Sequence, residues 1–587
     1  MNLEYSFYLS NKDFKKTCDY SMDFDWCSID YSTLHPTPYI SDNSQRTLIV
    51  LGTVIGDESV YKNDLFNQMS NSQILESVKS YNGQFAIILY CKNDKRLSLI
   101  TDVTASYPIF YRIDNQEITL SLSYSDIWKR DVKCTEINYS AFYELFYLRR
   151  VFGAKTYDKK TKFLSANSIL TLDSNYSVEI SKYREFEFNK STKSFDEQAH
   201  ELADLIKKSV LRRISDNKNY GLLLSGGLDS RVPLAVAKNV FKCFSAGYHK
   251  NSEYEVAKAV AALEGHEHFY IQRPHDNYDQ LMPNGVYLTD SMREFHSANW
   301  ALIVDQFKDN NVDTVLSGYA YDYLLGDNYL PRAKKKFLGK TLPIYEVLEP
   351  ASNQDFAEFF LNTISWRYKS SNSKALVSSD KYFEKIKTEI NEKVDTVKAR
   401  ATSYLDVYQF LTVDDLSRHS MYIESSLLRV GVEDRVPGID KDIIEYSFQI
   451  PYEYKFNYKL YKKAIELIDP QYVHFINANT NYPASLSPYH YLGTLAYNKI
   501  KAKAGFKATL PPNDHNRSWG DPFEILKRNP GLLGRVQSME NSSLWDHLPD
   551  LNRTEILKQL KLQLEGKANN IPLVNLLVGA ELFLGEK

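Results

Sequence analysis

Cysteine is scarce in this sequence and never paired. Five cysteines (Cys18, Cys27, Cys91, Cys134 and Cys243) are scattered through 587 residues with no Cys-x-x-Cys spacing. That argues against a disulfide framework or a zinc site and for a reducing cytoplasm. No apolar run approaches the ~18 residues a membrane span needs. The N-terminus, acidic at Glu4, has no basic-then-apolar leader, so no secretory signal is expected. An excess of one charge is missing too. Lys and Arg number 71 against 74 Asp and Glu, a net charge of -3, so there is no electrostatic case for nucleic acid or a lipid surface. Internal repeats and low-complexity tracts are absent.

The hydrophobic fraction of 43% with 25% charged residues is that of an ordinary globular protein. The length exceeds one core, at ~150 residues per domain, and two large domains are expected. Over the first ~190 residues short strands dominate. Gln84–Cys91 is largely apolar, Leu97–Thr101 and Ile118–Leu122 alternate, and Ser168–Leu172 and Val178–Ile180 flank the turn Asp173-Ser174-Asn175. With a helix around Ala141–Leu148, this predicts sheets packed on one another or under helices.

A polar, unpatterned stretch, Phe188–Lys193, marks a boundary. Ser194 and Glu197 then form a capping box, opening a helix with Leu202, Leu205, Ile206 and Val210 on one face. Beyond it strands and helices alternate. Strands are expected at Leu222–Leu224, Phe241–Ala246, His268–Ile271 and Val312–Leu316, with a helix carrying Val256, Val260 and Leu263 and ending at Gly265. Such alternation builds a parallel sheet with ligands at the carboxyl ends of its strands. After about residue 330 the chain reads as mainly helical, and Pro572–Leu584 is apolar enough to be a buried helix. The expected class is α/β, with domains over 1–190 and 194–587.

The most informative stretch is Tyr-Gly-Leu-Leu-Leu-Ser-Gly-Gly-Leu-Asp-Ser-Arg over 220–231. A buried strand, a turn at Ser225-Gly226-Gly227 and a helix through Val232, Leu234, Ala235 and Val236 aim backbone N–H groups and a positive helix end at phosphates. Adjacent glycines allow close approach and positive φ. Ser225 and Ser230 add hydroxyls, and Asp229 puts a carboxylate where a phosphate-bound Mg2+ would sit. No lysine follows as the Walker pattern requires, and the three-glycine dinucleotide fingerprint is lacking. The competing reading is an ordinary strand-to-helix turn with incidental glycines.

Ser-Gly-Gly-Leu-Asp-Ser resembles the pyrophosphate-binding loop of ATP pyrophosphatases. With Ser317-Gly318-Tyr319-Ala320-Tyr321-Asp322 and Glu433-Asp434-Arg435-Val436-Pro437-Gly438-Ile439-Asp440, it is similar to the synthetase domain of the asparagine synthetase superfamily. The N-terminal part resembles that family's class II glutamine amidotransferase domain, through Asn82-Gly83-Gln84-Phe85-Ala86 and Asp102 with Tyr107–Tyr111. The resemblance implies ATP and Mg2+ as cofactors. It implies nucleotide contacts from Leu224, Ser225, Gly226, Gly227, Asp229, Ser230 and Gly318, and metal ligation by Asp229 and Asp322. Asp322 also reads as a helix N-cap.

Three departures from that family shape the expected function. Its glutaminase cysteine, next to the initiator methionine, is Asn2 here, and an amide cannot be that nucleophile. Members lacking the cysteine include β-lactam synthetases and lasso-peptide cyclases, which join a carboxylate to an amine already in the substrate. The family's glutamate after Ser-Gly is Tyr319, as in β-lactam synthetases, and Glu424 is a candidate partner relaying a proton from the attacking ammonium. Tyr319 also reads as a pocket-wall residue, and Glu424 as a salt-bridged helix residue. The family's downstream lysine is absent from Asn477–Pro483, with Lys459, Lys462 and Lys463 the nearest cations.

The implied protein is an ATP-dependent, AMP-forming amide ligase acting on a small molecule or peptide with a carboxylate and an amine, without nucleic acid or membrane. The alternatives are an asparagine synthetase-type enzyme using free ammonia and a degenerate nucleotide-binding partner protein. Among weaker signals, His266-Glu267-His268 reads as a surface turn rather than a zinc site. Lys334-Lys335-Lys336 reads as a solvated run on a loop or helix. Arg435 reads as a packing anchor, and Glu253 and Glu255 as acids suited to a helix start.

Overall fold

The strand Asn82–Cys91 shows how the N-terminal half is built. It pairs antiparallel with Arg46–Ile55 on one side and Arg96–Thr101 on the other. Ala86, Ile88 and Tyr90 face one core with Ile49, Leu51 and Leu99, while Phe85, Ile87 and Leu89 face a second with Leu48, Val50 and Ile100. Successive strand residues point to opposite faces, so burial on both sides explains why this stretch is continuously apolar. It belongs to a six-stranded sheet ordered Val178–Lys182, Ser168–Leu172, Arg96–Thr101, Asn82–Cys91, Arg46–Ile55, Tyr39–Asp42. A second six-stranded sheet packs on it, contributing Leu9, Ile29, Ile118 and Leu120 to the shared core, and Ile74 of the helix Asn71–Ser77 lies on the opposite face.

The structure is a computed structural model that describes residues 7–10, 20–23, 27–31, 36–57, 59–60, 63–115, 117–132, 136–274, 276–337, 340–364, 373–414, 416–418, 420–503 and 520–585. Asn2, Glu4, Cys18 and Cys134 lie outside these. No described helix is long and apolar enough to cross a membrane.

The polar stretch before Ser194 leads into the helix α1, Phe195–Leu211. Ser194 and Glu197 cap one another as a complete capping box, while Leu202, Ile206 and Val210 are buried and Leu205 is half-buried. Because Ser194 satisfies an otherwise orphaned N–H, Ser194→Ala is expected to cost about 1 kcal/mol. A lowered urea midpoint at unchanged m-value would register it.

The parallel sheet follows. Its strands are β1 (Tyr220–Leu223), β2 (Phe241–Gly247), β3 (His268–Gln272), β4 (Thr314–Leu316) and β5 (Glu433–Arg435), ordered β3-β2-β1-β4-β5 with every neighbouring pair parallel. The sequence order reverses between β1 and β4. In an open parallel sheet that switch point leaves a crevice at the carboxyl ends, and the loops leaving β1 and β4 are the two glycine-containing blocks. Predicted strands and helices recur here and in the buried C-terminal helix Ile571–Gly585, giving the expected α/β class.

Some expectations need correction. β5 was not legible as a strand: Glu433, Asp434 and Arg435 are all charged, yet all buried. Each charge is matched, Glu433 by Lys218 and Arg435, Asp434 by Arg429, and Arg435 also by Asp216. Arg435 is therefore the packing anchor it was read as. Lys334–Lys336 lie on neither loop nor helix but on the strand Arg332–Phe337, which forms an antiparallel hairpin with Lys340–Val347. All three lysines are exposed, and three like charges in a row show no apolar alternation to read. His266 is not at the surface; it is buried, with Nδ1 3.1 Å from the Phe241 carbonyl oxygen.

Candidate active site

The loop after β1 is held from behind by an arginine. The buried Arg231 guanidinium donates to the carbonyls of Gly227 (2.8 Å) and Gly226 (2.5 Å), and to those of Tyr472 (2.9 Å) and Ile476 (2.9 Å). Ala478 N–H also donates to Gly226 O at 3.1 Å. The loop carbonyls are committed to this side, as in an anion nest, while Ser225 N–H and Gly227 N–H turn inward to the hydroxyls of Ser230 and Ser225. Gly226 has φ +71, whereas Gly227 does not have positive φ, so only the first glycine is required by backbone conformation. Ser225 and Ser230 lie inside the turn with hydroxyls 3.1 Å apart, and Ser225 N–H donates to Ser230 Oγ at 3.2 Å.

The loop after β4 rests directly on it. A Cβ on Gly318 would stand 2.3 Å from Asp229 O and 2.5 Å from Ser230 N, so no side chain fits there. Asp229 lies in a short 3-10 turn, Asp229–Arg231, and Asp322 in the first turn of the helix Tyr321–Leu325, whose N-cap is Ala320 and not Asp322. Both carboxylates keep some surface open to a cavity but sit deep in the protein. Desolvation pushes both pKa values up, and at Asp229 the nearby Asp322 charge pushes further. Asp322 Oδ2 accepts from Asn328 Nδ2 at 2.9 Å, while Asp229 Oδ1 is buried without a hydrogen bond of good geometry, the Tyr461 hydroxyl lying beside the carboxylate.

Two carboxylates that repel one another, one with a buried oxygen lacking a well-formed hydrogen bond, form a donor set that fits a hard divalent cation. Among the described residues no group of three or more His, Cys, Asp or Glu side chains is placed to hold a metal alone. Two protein carboxylates completed by phosphate oxygens is how Mg2+ is usually bound.

A cavity of about 340 Å3 opens over these loops. Leu224, Ser225, Asp229, Ser230, Gly318, Tyr319, Asp322 and Glu424 all line it, whereas Gly226 and Gly227 do not. Residues from three separated stretches thus converge on one space. Tyr319 is half-buried, its hydroxyl pKa raised by burial, so it is a neutral phenol at physiological pH. Glu424, on the helix Ser420–Ser426, is buried, and its Oε1 accepts from Arg293 (2.6 Å) and Ser297 (3.2 Å). The salt-bridged reading of Glu424 holds, and the same side chain still faces Tyr319's cavity.

Other lining residues were missed. Ser245, Ala246 and Gly247 end β2, and their position at a carboxyl strand end was a usable signal. Arg273 and Trp300 carried none. Arg273, the only Arg or Lys among the described lining residues, stacks on the Trp300 ring at 4.5 Å. None of Lys459, Lys462 and Lys463 lines the cavity: Lys459 is exposed, Lys463 pairs with Glu466 at 3.0 Å, and half-buried Lys462 has its pKa lowered by desolvation.

The strand Asn82–Cys91 meets the chain around Asp434–Asp440 directly. Asn82 Nδ2 donates to Asp440 (3.0 Å). Gln84 Nε2 donates to Asp434 (3.1 Å), and Gln84 Oε1 accepts from Val436 N–H (2.7 Å). Asp102 turns inward, accepting from the N–H groups of Phe85 and Thr104, both at 2.8 Å.

Comparison with known proteins agrees with this geometry. Residues 201–467 match the Asparagine synthase family. Over 463 residues the chain is 25% identical to asparagine synthetase [glutamine-hydrolyzing] 1 of Bacillus subtilis, covering 71% of this chain and 72% of that one. A stretch of 89 residues is 38% identical to 7-cyano-7-deazaguanine synthase of a Sulfurihydrogenibium species, covering 14% of this chain and 38% of that one. Among solved structures, the NH3-dependent NAD synthetase of Campylobacter jejuni overlaps 37% of this chain and 93% of its own at 14% identity, but the TM-score of 0.18 carries no argument. The matched segment, the long alignment and the meeting of the 224–230 and 317–322 blocks at one cavity make this chain similar to the asparagine synthetase superfamily, whose family model its residues 201–467 match.

Proposed function

We propose that this protein is an ATP-dependent, AMP-forming ligase that adenylates a substrate carboxylate and joins it to an amine. The observation that carries the reading is the convergence of 224–230, 318–322 and Glu424 on one cavity at the sheet's switch point, with two mutually repelling carboxylates at its floor. The division into an amidotransferase-like unit over 1–190 and a synthetase unit over 194–587 is part of the proposal.

In the first step a carboxylate oxygen attacks the α-phosphorus and pyrophosphate leaves toward the N–H groups and hydroxyls of Ser225–Ser230. Asp229 and Asp322 would hold Mg2+, which when bound offsets the phosphate charge. Arg273 takes the place of the missing lysine as the cation facing the adenylate. In the second step the amine nitrogen attacks the acyl carbon and AMP leaves. The ammonium must first lose a proton; Tyr319, neutral because burial raises its pKa, passes it on, and Glu424 is the acceptor.

The amine does not come from glutamine hydrolysis in this reading. Of the described cysteines, Cys27 and Cys243 are buried with thiol pKa values pushed up to about 12, and desolvation raises that of Cys91. High thiol pKa values suit none of them to nucleophilic work.

Tyr319→Phe is expected to keep ATP–pyrophosphate exchange while amide formation falls by about 10²–10⁴-fold, the usual scale of a lost proton-transfer group. Equal loss of both half-reactions would remove Tyr319 from the second step. Product analysis should give AMP and pyrophosphate in equal amounts. Asparagine formed from aspartate and ammonium would replace this reading with that of an ammonia-using synthetase.

A further inference from the structure

Arg273, Trp300 and Glu424 form a wall with two sides. Beyond it lies a second chamber of about 190 Å3, and these three residues line both spaces. That volume is many times the ~10–15 Å3 one water requires. Its far side is built by the buried helix Ile571–Gly585, with Phe295–Ala298 alongside.

At that far side Asn575 is fully buried. Its Nδ2 is 3.0 Å from His296 Nδ1, and its Oδ1 has no partner. His296 is packed against the Tyr278 ring, centroids 5.8 Å apart and the ring planes nearly parallel. Burial pushes its pKa down to about 4, so the ring is neutral, with Nδ1 accepting from the amide. In proteins generally, buried polar groups are paired far more often than not. An orphan lining a chamber that adjoins a nucleotide-sized cavity therefore points to a ligand.

Resting on the ligase reading above, we propose that this chamber seats the acid substrate: an amino-acid-sized carboxylate whose far end carries N–H groups. The carboxylate lies at the threshold, where Arg273 supplies the positive charge. The far end donates a hydrogen bond to Asn575. An apolar chain of equal length leaves Asn575 unpaired and is rejected, because sites built around a buried polar group discriminate strongly against analogues lacking its partner.

The test uses the full chain and four probes: L-glutamine, L-arginine, L-histidine and L-norleucine. Each is titrated calorimetrically with Mg2+ and a non-hydrolysable ATP analogue present, and each is also assayed for ATP–pyrophosphate exchange. At least one of the first three should bind at least tenfold more tightly than norleucine. Asn575→Leu and Asn575→Ser should each erase that preference while keeping the Mg-ATP dissociation constant within twofold, which also shows that they fold. Norleucine binding as tightly, no binding by any probe, or unchanged preference in both variants would overturn the assignment. So would weakened Mg-ATP binding in the variants, which would give the chamber to the nucleotide. Binding that depends on Asn575 without any exchange would sink the ligase reading and leave the chamber. Exchange driven by an acid indifferent to Asn575 would do the reverse.

Discussion

Asp229→Asn is expected to melt at a higher temperature than the wild type at pH 8 without ligand, and to gain nothing from Mg-ATP. The first half follows from the carboxylate pair. Desolvation and the neighbouring Asp322 charge raise the folded-state pKa of Asp229 above its usual value of 3.8. The folded protein then holds more protons than the unfolded chain between the two values, so stability falls as pH rises through that window. By pH 8 the penalty is at or near its full size. Asparagine keeps the shape and removes the repulsion. The second half follows from the proposed role: without this carboxylate the cation and the phosphates lose their anchor. A ligand at ~100 times its dissociation constant stabilises the wild type by about 2.7 kcal/mol, and the variant should show none of that. Thermal denaturation at pH 5 and pH 8, with and without Mg-ATP, reads both halves. A variant that still responds to Mg-ATP removes Asp229 from metal binding. A variant less stable than wild type at pH 8 shows the carboxylate to be structural. The arrangement is a trade of stability for function, common where like charges are gathered for a ligand.

What the sequence disclosed were features whose physics is local. The Ser225–Ser230 loop announces itself because an apolar strand, a glycine needing positive φ and a helix start are adjacent in the chain. The Ser194 and Glu197 capping box is legible for the same reason, since both partners lie within four residues. Gly318 was placed by its motif, but the reason for glycine, the Asp229–Ser230 peptide bond standing where a Cβ would be, is a tertiary fact. β5 was hidden because a strand of three charged residues looks solvated until Lys218, Arg429 and Asp216 are seen around it. Arg273, Trp300, His296 and Asn575 were hidden because nothing nearby in sequence marks them; they meet only after the helix Ile571–Gly585 folds back. Asn82 and Gln84 show the limit most plainly. The motif gave them their place in a strand and turn, yet their side chains bind partners more than 340 residues away.

That contact leads to the second large effect, at Asp440. Its side chain is fully buried and N-caps the helix Lys441–Gln449 by accepting from Asp442 N–H at 3.1 Å. It also accepts from Arg212 Nε (2.8 Å), Arg213 Nη1 (2.5 Å) and Asn82 Nδ2 (3.0 Å). Arg212 and Arg213 are themselves buried at the end of α1. One carboxylate thus ties α1, the helix Lys441–Gln449 and the N-terminal sheet together. Asp440→Ala would leave two guanidiniums buried beside a lost anion, and breaking a buried pair on one side costs about 3–5 kcal/mol. Because Arg212 also reaches Asp442 at 3.0 Å, part of its charge stays compensated, so the lower half of that range is expected. pH should act in the same direction. Burial alone would raise the Asp440 pKa, but Arg213 and Arg212 outweigh it and hold it below 3.8. Its contribution is therefore complete above the unfolded-state pKa and is lost as pH falls through the lower folded value. Urea denaturation of wild type and Asp440→Ala at pH 7 and pH 3 checks both points, with the gap between them narrowing in acid. A loss under 1 kcal/mol at pH 7 would mean that water replaces the carboxylate, and that the N-terminal sheet is held to α1 by apolar packing instead.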